Sequence, residues 1–70
     1  MTARARIAVG AIVAPESNPA ATYRVVEVVR GTPAARAYIK AVPLDGGKEV
    51  MLAWYRGRWI DGTESWRVIA

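Results

Sequence analysis

Trp54, Tyr55, Arg56, Arg58, Trp59, Trp66 and Arg67 crowd into one short stretch of the C-terminal half, and Arg36, Tyr38 and Lys40 alternate along an earlier one. Cationic side chains neutralise phosphates, and aromatic rings stack nucleobases at about 1–3 kcal/mol per base. Trp, Tyr and Arg are also the residue types that anchor protein interfaces. The candidate binding surface is therefore Arg36, Tyr38, Lys40, Tyr55, Arg56, Arg58 and Trp59, with Trp59 in a loop between two arginines. A plainer reading stands beside it. Solvated sheet faces also carry Arg, Lys and Tyr, and Trp59 and Trp66 are able to fold back and plug the ends of a small barrel.

Other chemistry finds little support in the residues. The chain has no cysteine and no histidine, which excludes disulfides, zinc sites built on those ligands and a histidine-activated nucleophile at Ser17 or Ser65. Gly46-Gly47 sits between two strand-like runs with no helix after it, so it is not a phosphate loop. Asp61 and Glu64 are close enough in sequence to bind a cation through oxygen ligands, but their setting is that of turn residues. No catalytic residue, metal or cofactor is expected, and the chain does not read as an enzyme.

Bulk properties narrow the partner. Seventy residues form one small domain, which is marginal without staples unless it packs densely or self-associates. The hydrophobic content of 53% is enough for a core. Ten Lys and Arg against six Asp and Glu leave a net charge of +4, which favours an anionic partner such as DNA or RNA and also serves solubility. Arg4 and Arg6 lie in residues 1–6, read as a basic N-terminal arm that precedes a barrel domain over residues 7–70. No apolar run approaches the ~20 residues of a membrane helix. The arginines before the apolar run at 7–14 superficially resemble a secretory signal, but that run supplies a strand the domain needs, so a cytoplasmic protein is expected. Heavy use of Ala, Arg, Val and Gly, with Lys only at 40 and 48 and no Phe, suits a GC-rich bacterial genome or one of its phages.

The elements that must position these residues are strands. Asp45-Gly46 between two alternating runs is a hairpin signal. Pairing around it sets Ala41 opposite Val50, Ile39 opposite Leu52 and Ala37 opposite Trp54 on an apolar face. The other face carries Arg36, Tyr38, Lys40 and Val42 opposite Tyr55, Ala53, Met51 and Glu49. A turn at Gly46-Gly47 slides the register by two and keeps the same faces, whereas a slip of one does not. Residues 7–14 form a first strand with a kink or bulge at Gly10. Pro15, Ser17, Asn18 and Pro19 break the chain into a loop. Residues 22–30 are rich in β formers, with Val26 and Val28 expected inward and Arg24 and Arg30 outward. Gly31-Thr32-Pro33 reads as a tight turn. Gly57 and Asp61-Gly62-Thr63 mark two later turns, with Trp59-Ile60 able to pair with Trp66-Arg67-Val68.

Gly10-Ala11-Ile12-Val13, Tyr23-Arg24-Val25-Val26-Glu27-Val28, the Asp45-Gly46-Gly47 turn and the closing Trp66-Arg67-Val68-Ile69 together resemble the SH3-like small-barrel superfamily, which includes Tudor-like and KOW-like modules. The segment 56–65 is longer than the single short turn typical there. The resemblance implies an all-β, antiparallel barrel of five strands, or six if 59–60 pairs with 66–68. Some SH3-like reductases build an active site by oligomerising around a pore, but their pore segment is not recognisable in this chain. The expected function is nucleic-acid binding through the basic and aromatic surface. The alternative is a protein partner or a homo-oligomer, with Val25, Val29, Met51 and Trp59 in the interface.

Overall fold

The computed structural model describes residues 7–34 and 36–70; the basic arm expected at residues 1–6 lies outside them. The described chain is all-β. Six antiparallel strands, β1 (Ile12–Pro15), β2 (Tyr23–Val29), β3 (Tyr38–Pro43), β4 (Val50–Tyr55), β5 (Arg58–Asp61) and β6 (Glu64–Val68), pair in sequence order. Pairing of β1 with β6 then closes the barrel. The architecture agrees with the small SH3-like barrel expected, in its six-stranded form. Among the described residues no helix is long and apolar enough to cross a membrane.

The central hairpin takes the first of the two registers that its faces allow. Ile39 lies opposite Leu52 and Ala41 opposite Val50. The Trp54 N–H donates to the Ala37 carbonyl at 2.9 Å, which carries the same ladder one step beyond the strand ends. Ile39, Ala41 and Leu52 are fully buried. The connection is longer than a two-residue turn, because the strands stop at Pro43 and resume at Val50. Proline has no N–H for the ladder, and Leu44 donates instead toward the Thr22 carbonyl on the β2 side, at 3.1 Å.

Strand β2 departs from the expected inward pair of Val26 and Val28. The register shifts between Val25 and Glu27. An extra residue there reverses the side-chain alternation, as a β-bulge does. Val25 is consequently fully buried, Val26 is 43% exposed, and Val28 packs on the core opposite Ile39. A bulge-free strand would force a choice between burying Glu27 with Tyr23 and Val25, or exposing both of the latter. The bulge removes that conflict, and Glu27 pairs with Lys40 on the outside. Two further boundaries move. The first strand begins at Ile12, because Gly10 turns the chain at φ +98°, although Gly10 and Ala11 still exchange backbone hydrogen bonds with Val25. The link after β2 also runs from Arg30 to Ala37, longer than a tight turn.

The segment 56–65 resolves into β5 and two turns. Trp59 lies opposite Trp66 and Ile60 opposite Ser65, as the expected pairing of those segments requires. Both indoles are inside the barrel, 5% and 6% exposed. Each meets another ring edge-to-face: Tyr23 with Trp66 at 4.9 Å between centroids, and Trp54 with Trp59 at 5.0 Å. These two ring pairs join Val13, Val25, Ile39, Ala41 and Leu52 in the core. Such ring pairs add about 0.5–1.5 kcal/mol beyond the area they bury. Against that, neither buried indole N–H has a hydrogen-bond acceptor among the described residues, at a cost of about 1–3 kcal/mol each.

Truncation of these core rings should be close to the limit of what the domain tolerates. Trp59→Ala is expected to cost about 3–5 kcal/mol, against a total of roughly 4–10 kcal/mol for a domain of this size. Urea denaturation followed by circular dichroism should show a midpoint collapsed toward zero. A loss below about 1 kcal/mol would mean that Trp59 does not support the core.

Candidate nucleic-acid interface

The ladder that buries Ile39 and Leu52 points the intervening residues outward. Extended by the Ala37–Trp54 hydrogen bond, it sets Arg36 opposite Tyr55 in a non-hydrogen-bonded pair, where facing side chains come closest. The contact is made: the Arg36 guanidinium carbon lies 4.5 Å from the centroid of the Tyr55 ring. On its other side Tyr55 pairs with Arg58 across β4 and β5. Arg56, in the turn, brings its guanidinium carbon to 5.4 Å from the same ring. Two guanidinium groups, from the segment before β3 and from the turn, thus lie over one half-buried tyrosine whose register partner on β5 is a third arginine. Cation–π contact of this kind is worth about 0.5–1 kcal/mol at an exposed site. It also holds the guanidinium planes in place while their N–H groups remain available to an anion.

The turn between β4 and β5 has a property that its sequence hides. Arg56 and Gly57 are its two central residues, and both have positive φ, +50° and +84°. Two positive φ values in a two-residue hairpin loop are the mark of a type I′ turn, which favours Asn-Gly, Asp-Gly or Gly-Gly. Gly57 meets that demand at no steric cost. Arg56 is the only non-glycine residue with positive φ among those described, and for such a side chain the left-handed region costs roughly 1–2 kcal/mol. The turn alone does not explain an arginine at this position, whereas its place beside Tyr55 does.

The remaining candidates divide. Tyr38 is half-buried on the outer face, two residues along β3 from Arg36 and opposite Ala53. Register continues that row outward as Val29, Tyr38, Ala53, Ile60 and Ser65, an apolar strip beside the arginines. Ile60 was not among the expected site residues, although its alternation with Trp59 was the signal. Lys40 is on the same face but farther from the cluster, with its ammonium 3.5 Å from the Glu27 carboxylate. An exposed pair of this kind contributes at most about 1 kcal/mol, yet its negative partner cancels local charge. Trp59 leaves the site altogether. It occupies the inward positions of β5, and stacking a base on it would require opening the barrel. Arg58 and Ile60 take the outward positions instead.

The interface expected for the alternative partner loses two of its four members, because Val25 and Trp59 are both buried. Met51 and Val26 are exposed, but β3 runs between them with Lys40 opposite both Met51 and Glu27. An ion pair therefore interrupts what would otherwise be a continuous apolar patch. Asp61 and Glu64 face each other across the Gly62-Thr63 turn, and the Glu64 carboxylate accepts from the Ser17 backbone N–H at 3.3 Å. No group of three potential metal ligands is found among the described residues. Beside Arg36 an open depression is lined by Thr32, Pro33 and Ala34, which extends the surface around the guanidinium.

The strain at Arg56 is measurable. Arg56→Asn should stabilise the domain by about 0.5–1 kcal/mol, since Asn-Gly is the preferred pair for this turn. The check is the urea midpoint, and a destabilised Asn variant would show that the arginine is not held against its backbone preference. The site stands on this geometry alone: no protein-family model matches the chain, and no curated protein or solved structure matches it.

Proposed function

We propose that this chain is a small non-catalytic binding module whose outer face over β3, β4 and β5 takes nucleic acid. The observation that carries the reading is the convergence of the Arg36 and Arg56 guanidinium groups on Tyr55, at 4.5 and 5.4 Å from the ring, with Arg58 as the register partner of that tyrosine on β5. Charge supports it, because the chain carries +4 overall and the cluster holds three of its ten basic residues. The position of Arg56 supports it further. Backbone strain concentrates where a side chain is needed in a particular place, and a cation moved off the turn would no longer reach the Tyr55 ring. Phosphate contacts would come from the arginines, and base contacts from the rings and the apolar strip, with no base-specific pairing implied.

Affinity should therefore fall with salt. Three neutralised phosphates predict a slope of log K against log salt of about −2, taking roughly −0.7 per phosphate on a single strand. Replacing Arg36 or Arg58 with Ala should each weaken binding and flatten the slope by about 0.7. Lys40→Ala should do less, because Glu27 already compensates that charge. Fluorescence anisotropy across a salt series measures all of these. Absence of binding to single- and double-stranded nucleic acid at low salt would refute the proposal.

A further inference from the structure

We infer that the site takes single-stranded nucleic acid, with the backbone on the arginine cluster and the unstacked bases over the adjoining row of Tyr38, Ala53 and Ile60. This rests on the nucleic-acid reading above and assigns the ligand class within it. Three features of the outer face decide between a strand and a duplex.

The first is how compact the charge is. Arg36, just before β3, and Tyr55 and Arg58 on β4 and β5 continue one row of the ladder, so the row spans two strand spacings, about 10 Å. That reaches a few phosphates of one backbone. The second is the chemistry beside the cluster. The next row carries a phenol ring, a methyl group and a branched aliphatic chain, all half-buried. A duplex keeps its base faces inside the stack and has nothing to lay on such a strip. A single strand presents them, and aromatic or apolar surfaces receive them without regard to sequence. The third is what lies beyond the strip. Glu27, with its side chain 49% exposed, stands opposite Lys40 in the row that follows. Its ammonium partner Lys40 lies 3.5 Å away, so the second backbone of a duplex would find a compensated ion pair there and no free cation, whereas the bases of a single strand end before it. The face is therefore graded: free cations, then rings and aliphatic groups, then a neutral ion pair.

The test compares fluorescein-labelled oligothymidylate of about 15 nucleotides, near the upper end of one small barrel's site size, with the same strand annealed to its complement. Anisotropy titrations on the whole chain at low salt should give the single strand at least about tenfold tighter binding. Tyr38→Ala should weaken the single strand by about tenfold while leaving its salt slope unchanged, because it removes a stacking surface and no phosphate contact. Tyr38→Phe should bind as the parent does, and each variant is checked for a cooperative thermal melt. Equal or tighter duplex binding would overturn this inference and leave the nucleic-acid reading standing. An unchanged affinity of a folded Tyr38→Ala, or a flattened slope, would overturn the placement of the bases. Failure of both ligands to bind would overturn the reading on which it rests.

Discussion

Burial of Trp59 and Trp66, register partners across β5 and β6, is the constraint on which the barrel depends. A closed ring of six short strands leaves an interior that must be filled from within; the chain has no phenylalanine or cysteine, and no metal ligand set is found among the described residues. The two indoles, each set edge-to-face against a further ring of Tyr23 or Trp54, supply the aromatic part of that filling. Their unpartnered N–H groups show that this filling is not free of penalty. The same packing fixes which way β5 faces. With Trp59 inside, Arg58 and Ile60 must be outside, so the charge and the apolar strip of the binding face follow from how the core is filled.

The bulge in β2 has a comparable role on the opposite flank. It reverses alternation once, so that Tyr23, Val25 and Val28 reach the core while Glu27 remains in solvent beside Lys40. One inserted residue thereby places the Glu27–Lys40 ion pair at the limit of the outer face. Together the indole pair and the bulge define a surface whose polarity runs from the turn at Arg56 to the ion pair on β2 and β3.

Much of this was legible in the residues, for physical reasons that differ by element. The central hairpin was readable because parity with a buried face tolerates only shifts of two; it put Arg36 and Tyr55 on one face, and the register that sets them opposite each other came from the ladder itself. The fate of Val26 was not readable, because a bulge exchanges side-chain faces without any composition signal of its own. Trp59 was ambiguous for another reason. Flanking arginines are equally compatible with an exposed loop and with an alternating strand, and only the partner across the ladder decides. The left-handed backbone of Arg56 was hidden because arginine is an unfavoured residue there, and propensity cannot announce its own exception.

Closure of the ring has a kinetic consequence. The seam joins Val13 to Val68 and Ile12 to Ile69, residues from nearly opposite ends of the described chain, whereas β3, β4, β5 and β6 are linked by successive hairpins. Contacts between distant residues carry the larger loop-closure entropy and slow folding. The hairpin array that bears the arginines is consequently the part best able to form early, and the seam is the step that completes cooperative structure. A chain caught before that step would present β1 and β6 as bare edges, with unpaired backbone groups that invite another chain to add on. For so small a barrel, solubility during synthesis then depends on how quickly the seam shuts, a property set far from the arginine cluster.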